Sequence, residues 1–233
     1  MPTVVSEPDA RRSDMPSKPP RPLTRATLLR GVRDLAARDG HLAGVTGRFG
    51  PPPLWGRPPG FSTLVRIILE QQVSLSSGRD AYTRLQAAAG RVTPGRVACL
   101  SEARLRRHGL TRQKARYCRG LACLIVDRTV SLTDLAHLDD RAGREILLQV
   151  PGIGPWTADV YLLMALRRPD IWPVGDLALA KSAQQVKRMR SRPSQEKLRG
   201  MARAWAPWRA VAARILWHAY LSNNRPSAAS REQ

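Results

Sequence analysis

Asp176 is the carboxylate that the sequence places best for chemistry. It follows Gly175 in "WPVGDLALAKSAQQV", where a loop containing Pro and Gly leads into a helical apolar pattern. This spacing predicts that Asp176 caps a helix, where free backbone amides favour the ionised carboxylate. Such a carboxylate can stabilise a developing positive charge or act as a base. A cap without any further role is equally consistent with Asp176 taken alone.

A second candidate feature is the tight turn in "LLQVPGIGPWTADVYLL", about 20 residues before Asp176. Its glycines permit a sharp reversal between two amphipathic helices, and Pro155 suits the first position of the second helix. The backbone amides at the start of that helix are left without partners, and such amides bind phosphate. An ordinary helical corner is the alternative. We predict phosphate binding by the backbone of Gly152, Ile153, Gly154, Trp156 and Thr157.

The charge of the chain favours a polyanionic partner. Its 233 residues carry 39 Lys and Arg against 18 Asp and Glu, a formal net charge of +21. Nucleic acid is the simplest partner for such an excess, although an anionic membrane surface also fits the charge. A general preference for Arg is another explanation, since only five basic residues are Lys, but it does not explain the shortage of acids.

The apolar pattern predicts an all-α protein. Apolar residues recur with helical spacing through residues 25–222, and neither a strand pattern nor a repeat of fixed period stands out. Residues 1–24 predict a disordered tail, residues 223–233 a flexible one, and the Pro- and Gly-rich residues 41–60 a loop. Three cysteines without a regular framework predict free thiols in a reducing compartment. Four residues are expected to lie at or near helix starts: Ser62, Thr111, Asp140 and Pro207.

Several segments together resemble the helix-hairpin-helix DNA glycosylase superfamily. The turn "LQVPGIGPWTADVYLL" is similar to its hairpin, and "WPVGDLAL" to its loop ending in a catalytic Asp. "LVRIILEQQVSLSSG" resembles the helix before the lesion cleft, and "GLTRQKARYCRGLA" and "PWRAVAARILWHAYL" also fit, so the likeness covers about residues 59–221. The 3-methyladenine DNA glycosylase II group is most similar. The resemblance implies two helical lobes with a cleft between them. The N- and C-terminal helices would pack on a central lobe, with the hairpin at about residues 141–166.

The resemblance assigns Asp176 the catalytic role, stabilising an oxocarbenium-like sugar and orienting the attacking water. Trp217 matches the tryptophan that stacks on the extruded base, and Trp156 lines the same cleft. Tyr161 joins this base pocket, beside Val160, where the family pattern has an aromatic residue. Bifunctional relatives carry a Lys at the position of Trp156. Because an indole cannot form a Schiff base, we expect a monofunctional enzyme without lyase activity.

Further positions follow from the same resemblance. Gln72 stands at the wedge position that fills the gap left by a flipped base, with Gln71 beside it; the alternative is that the pair caps a helix end. Glu70 stands where the family pattern more often has Gly, so that contact with the base and solvation of a helix face both stay open. Arg112 and Lys114 are predicted to bind DNA phosphates.

The expected cofactors are few. The resemblance places a monovalent cation, Na⁺ or K⁺, on the backbone carbonyls of Leu148, Val150 and Ile153. No Cys follows Cys123, so the iron–sulfur cluster of endonuclease III-like relatives is not expected, and no cofactor is required.

These expectations combine into a DNA glycosylase that removes alkylated bases, chiefly 3-methyladenine-like purines, from duplex DNA and so initiates base excision repair. An N3- or N7-alkylated purine already carries positive charge and departs neutral. No His lies in the hairpin or the Asp176 loop to protonate a neutral leaving base. The alternatives are excision of oxidised, deaminated or mismatched bases, and a hairpin module that only binds DNA. We expect a cytoplasmic, nucleoid-associated monomer with no membrane partner.

Overall fold

The computed structural model describes residues 18–224, which form twelve α-helices and one short 3-10 helix and contain no strand. Of the two predicted tails, residues 1–17 and 225–233 lie outside the described residues. The helices are α1 (Arg25–Arg38), α2 (Gly40–Phe49), α3 (Phe61–Glu70), α4 (Leu75–Ala89), α5 (Pro94–Ala98), α6 (Glu102–Arg107), α7 (Arg112–Val126), α8 (Asp140–Leu148), α9 (Pro155–Met164), α10 (Leu177–Val186), α11 (Gln195–Arg203) and α12 (Arg209–Asn223), with the 3-10 helix at Asp134–His137 before α8. The all-α prediction is confirmed.

Side-chain caps start several of these helices, as the sequence predicts in part. The Thr111 hydroxyl accepts a hydrogen bond from the Lys114 amide at the start of α7, as expected. Asp139, one residue before the predicted Asp140, caps α8 by accepting from the Ala142 amide. Ser62 does not cap α3, which begins after Gly60; its hydroxyl lies 2.6 Å from the Tyr82 hydroxyl instead.

Two further boundaries differ from the sequence prediction. Residues 40–49, most of which the composition predicts to be a loop, form α2, because the Asp39 carboxylate accepts from the amides of His41 and Leu42 and starts a new helix. Pro207 lies before α12 rather than within its first turn. Composition misplaces the start of α2, because a Pro- and Gly-rich segment predicts a loop unless its cap is recognised. The Pro207 prediction rests instead on the preference of proline for the first turn of a helix.

The helices pack mainly as two groups. Helices α1, α2, α10, α11 and α12 form a terminal group, and α3 to α9 form a central group in which α3 packs on α4, α7 and α9. The buried guanidinium of Arg214 on α12 joins the groups by donating to the carbonyls of Trp55 and Leu163. Burial lowers the pKa of Arg214 to about 10. The N- and C-terminal helices thus pack together, as the sequence resemblance implied.

The chain before α1 is anchored. Leu23 is buried and its amide donates to the Arg167 carbonyl over 2.8 Å. The Pro20 carbonyl accepts from the buried guanidinium of Arg168. Residues 18–24, which composition places in the tail, therefore contribute to the packing. Within the described range, no helix has the length and apolar character needed to cross a membrane.

Asp39 ties the terminal group together. Besides capping α2, its carboxylate accepts from the Lys187 ammonium at 2.6 Å and from the Trp205 indole at 2.9 Å. Burial acts to raise the pKa of Asp39, but the hydrogen bonds from Lys187 and Trp205 outweigh it, so the pKa lies below the ordinary 3.8. The carboxylate is therefore more stable ionised in the folded chain than in the unfolded one.

Replacing Asp39 by Ala is expected to lower the free energy of unfolding at pH 7 by about 3 kcal/mol, because Lys187 loses its partner and α2 its cap. Since the folded pKa is lowered, this stabilisation is present above the ordinary pKa and disappears as the pH falls through the lowered value. Urea unfolding of both proteins across this pH range measures the effect. Exposed Asp127→Ala is the control; a constant difference between pH 7 and pH 3 would contradict the assignment.

Candidate active site

Asp176 lies at the meeting point of three helices. It caps α10: its Oδ1 accepts from the Leu179 amide at 2.8 Å. The Trp217 indole of α12 donates to the same oxygen at 3.3 Å, and the Trp156 indole of α9 donates to Oδ2 at 2.9 Å. The residue is only 8% exposed. The carboxylate is thus held by both groups of helices, and the two tryptophans meet it through their N–H edges.

The hairpin between α8 and α9 presents uncapped amides, as the sequence predicts. Helix α9 starts at Pro155 after Gly154, and no side chain caps its first turn. Pro155 has no amide to satisfy, which leaves the amides of Trp156 and Thr157 as the donors of that turn. Ile153 differs from the prediction, since its amide donates to the Val150 carbonyl at 3.0 Å within the turn. Its amide therefore shapes the hairpin rather than facing outward as a free donor.

Gly152 lets the hairpin approach α7 closely. Its φ is +90°, and a Cβ at this position would lie 2.3 Å from the ring of Tyr117. Tyr117 itself accepts a hydrogen bond from the Gln113 amide group, which together with Arg116 lowers the pKa of its hydroxyl. Gly152 is therefore required both by its positive φ and by the lack of room for a side chain. The turn packs on the Tyr117 ring, a contact that the sequence does not reveal.

The loop after α3 has a fixed base and an exposed tip. Gln71 donates from Nε2 to the Gly152 carbonyl at 2.9 Å and to the Thr157 hydroxyl at 2.7 Å. Gln72 follows with a φ of +55° and an exposed side chain. Gln71 therefore binds the hairpin, and Gln72 remains free to contact DNA. Of the predicted wedge pair, Gln72 has an exposed side chain, whereas that of Gln71 is bound to the hairpin.

Lys114 is partly buried, and its ammonium is bound to the protein backbone. Its ammonium donates to the Leu69 carbonyl at 2.7 Å and so caps the last turn of α3. Burial lowers the pKa of Lys114, with the nearby Arg84 adding to the effect. Arg112, two residues earlier in the first turn of α7, is exposed. The structure thus separates the two predicted phosphate contacts: Arg112 is accessible, whereas Lys114 holds α3.

Two residues predicted for the base pocket are engaged elsewhere. Both oxygens of Glu70 accept from the Arg57 guanidinium, at 2.8 and 3.0 Å, so that the carboxylate is neutralised at the end of α3. Tyr161 is fully buried, and its hydroxyl accepts from the Gly60 amide at 2.9 Å. Glu70 and Tyr161 thus fasten Arg57 and Gly60 to the central group, and their predicted place in the base pocket stays a prediction.

A buried ion pair that the sequence interpretation missed positions the Asp176 loop. Asp159 on α9 is 3% exposed, accepts from Arg144 at 2.7 Å and also accepts from the Val174 amide at 3.3 Å. Burial raises the pKa of Asp159, and Arg144 opposes the rise. Gly175 is held from the other side by the Gln195 side chain. The signal was present in the sequence, because Asp159 is the one charged residue in the apolar stretch "PWTADVYLLM".

A hairpin with uncapped amides beside a buried carboxylate defines a helix-hairpin-helix protein built around an acidic site. Residues 65–208 match the family model described as HhH-GPD superfamily base excision DNA repair protein. The chain therefore belongs to the HhH-GPD superfamily. The match contains the hairpin and Asp176 and ends before Trp217.

Individual relatives agree with this family. A solved structure of a DNA-3-methyladenine glycosidase from Bacillus halodurans is 28% identical with a TM-score of 0.71, and the likeness covers 83% of this chain and 91% of that one. A Bacillus subtilis DNA-3-methyladenine glycosylase is 29% identical over 122 residues, 52% of this chain and 40% of the relative. The fold also matches a Schizosaccharomyces pombe 3-methyladenine DNA glycosylase in complex with abasic DNA, at 21% identity and a TM-score of 0.72, over 82% of this chain and 95% of that one. The chain spans 58% of another Bacillus subtilis relative, YfjP, at 27% identity over 165 residues, 67% of this chain.

The hairpin offers a matched pair of glycine substitutions. Gly152→Ala forces a Cβ into the Tyr117 ring at a positive φ, so we expect a loss of about 2 to 4 kcal/mol in the free energy of unfolding. Gly154→Ala is the control, because Gly154 has a φ of −90° and a methyl group added there would have no neighbour within 4 Å. Thermal unfolding of both variants tests the contrast. Equal melting temperatures would show that Tyr117 does not support the turn.

Proposed function

We propose that this protein is a monofunctional DNA glycosylase that hydrolyses the N-glycosidic bond of alkylated purines in duplex DNA. The observation that carries the proposal is the Asp176 carboxylate, held by donors from α9, α10 and α12 and located after a hairpin with uncapped amides. The names of the relatives from Bacillus halodurans, Bacillus subtilis and Schizosaccharomyces pombe support alkylated bases as the substrate class.

The reaction needs little acid catalysis at this site. When the bond between C1′ and the base nitrogen breaks, its electron pair goes to the cationic base, which leaves neutral. The sugar becomes electron-poor, and the Asp176 carboxylate stabilises its positive charge while water adds to C1′ and loses a proton. His218, next to Trp217 in the sequence, lies with Nε2 3.1 Å from the Phe49 carbonyl, and no hydrogen bond joins it to Asp176 among the described residues. This placement supports substrates whose leaving group needs no proton.

The contacts of three of the five lysines support hydrolysis without lyase chemistry. Lys181 on α10 places its ammonium 5.7 Å from the centre of the Tyr220 ring, and Lys187 is paired with Asp39. Lys114 is bound to the Leu69 carbonyl. With Trp156 on Oδ2 of Asp176, the nucleophile in the site is water, and the product is an abasic site in an intact strand.

DNA contacts follow from the exposed groups around the hairpin. The amides of Gly152, Gly154, Trp156 and Thr157 face a backbone phosphate, Arg112 adds a charged contact, and Gln72 enters the stack where the base has left. Trp217 offers its ring to the extruded base, where stacking contributes roughly 1–3 kcal/mol. A Na⁺ or K⁺ ion on the carbonyls of Leu148, Val150 and Ile153 would strengthen the phosphate contact. Val150 retains one lone pair for it, since its carbonyl accepts one hydrogen bond, from Ile153.

Asp176→Asn is expected to slow release of 3-methyladenine and 7-methylguanine from methylated duplex DNA by at least about 100-fold, because it removes the charge that stabilises the sugar cation. Chromatography of the released bases measures the rate, and binding to undamaged duplex is the control that the variant still folds and binds. Release at the wild-type rate would refute the role of Asp176. Release of oxidised or deaminated bases in preference to alkylated ones would refute the proposed substrate class. Strand cleavage without added lyase would refute the claim that the enzyme is monofunctional.

Arg112 and Lys114 provide a second test. If about six phosphates are neutralised, DNA affinity should fall on the order of 10³-fold between 50 and 200 mM salt. Arg112→Gln should reduce the slope of log affinity against log salt by about 1, whereas Lys114→Gln should leave the slope unchanged and lower the melting temperature. Fluorescence anisotropy with duplex DNA and thermal unfolding measure both. The reverse pattern would place the phosphate contact on Lys114.

A further inference from the structure

The two tryptophans at Asp176 are not equivalent as hydrogen-bond donors. Oδ1 accepts from two groups, the Leu179 amide at 2.8 Å and the Trp217 indole at 3.3 Å. Oδ2 accepts from Trp156 alone among the described residues, at 2.9 Å. Loss of the Trp217 bond leaves Oδ1 with its shorter partner, whereas loss of the Trp156 bond leaves Oδ2 without a partner in the part of the chain that the structure describes. Because an unsatisfied buried charge is costly, the carboxylate depends far more on Trp156.

Contacts of the neighbouring residues also fix the backbone on both sides of Trp156. The next residue, Thr157, is bound by Gln71 at 2.7 Å, and Gly152 packs against the Tyr117 ring. One turn later, Asp159 is tied to Arg144 and to the Val174 amide, two residues before Asp176. The helix that carries the indole and the loop that carries the carboxylate are thus fastened to each other at two points.

We propose that Trp156 is a positioning residue whose indole N–H, rather than its ring face, is the part required for the reaction. The N–H holds Oδ2 of Asp176 in one orientation and keeps the carboxylate available as a fixed negative charge for the sugar cation. Trp217 acts mainly through its ring, and its weaker hydrogen bond is dispensable. This inference rests on the proposed glycosylase function. It gives the two tryptophans different roles in that reaction.

The test removes each indole N–H while it keeps a bicyclic aromatic ring of similar size and shape. Benzothienylalanine, which has sulfur in place of the N–H, is introduced at position 156 in one protein and at position 217 in another. We expect the single-turnover rate of 7-methylguanine release to fall by about 10- to 100-fold for position 156 and by less than about 5-fold for position 217. Affinity for duplex DNA with an abasic-site analogue should stay within about 2-fold of wild type in both. Trp217→Ala, which removes the ring, should instead cause a large loss.

Two further measurements separate positioning from a structural effect. In an Asp176→Asn background the sulfur analogue at position 156 should cause no additional loss, because the partner charge is already gone. The indole ¹H–¹⁵N resonance of Trp156 should shift on Asp176→Asn, a readout independent of activity. Equal losses at the two positions, an unchanged resonance or a full additional loss in the Asn background would overturn the inference. A wild-type protein that releases no methylated base would refute the proposed function itself, and the positioning role with it, whereas an active analogue-156 protein would refute only the inference.

Discussion

The Asp176 site depends on one physical constraint: a nearly buried carboxylate must be satisfied by hydrogen-bond donors. The donors come from the first turn of α9, the first turn of α10 and the middle of α12. Those helices belong to both packing groups of the molecule, so the charge can be accommodated only when the groups are assembled. The site is therefore a product of the whole fold, and it is placed at the junction of its two parts.

Contacts around the hairpin hold the helix and the loop that bring Trp156 and Asp176 together. Gln71 ties the end of α3 to Gly152 and Thr157, and the Tyr117 ring of α7 supports the turn from below. The Asp159 and Arg144 pair fixes the loop that leads to Asp176. The exposed tip at Gln72 thus begins one residue after an anchored side chain. A wedge needs such a base, because the unstacking of DNA would otherwise displace the loop instead of the nucleotide.

Local signals account for what could be predicted from the sequence. The cap at Asp176, the uncapped start at Pro155 and the helical class follow from neighbours within a few residues, and each agrees with the structure. The partners of Glu70 and Tyr161 could not be predicted, since Arg57 and Gly60 lie in a segment whose path depends on tertiary packing. Tyr117 below Gly152 is a similar case: the sequence shows that a glycine is there but not which residue excludes a side chain. The hydrogen bonds of the two indoles were also missed, because ring size suggests stacking, while only coordinates show the direction of an N–H.

The structure changes the interpretation of the net charge. The value of +21 suggests a broad cationic surface, yet several basic side chains are bound to other groups of the protein. Arg57, Arg144, Arg209 and Lys187 neutralise specific carboxylates, while Arg168, Arg214 and Lys114 donate to backbone carbonyls. An arginine that donates to carbonyls replaces a backbone partner in the core and contributes nothing to a phosphate contact. Fewer basic side chains are therefore available for direct phosphate contacts than the composition indicates, although the net charge itself is unchanged by these pairs. The strength of binding depends on how the exposed residues, such as Arg112, are arranged around the hairpin amides, because a phosphate responds to donors within hydrogen-bonding distance more than to a distant excess of charge.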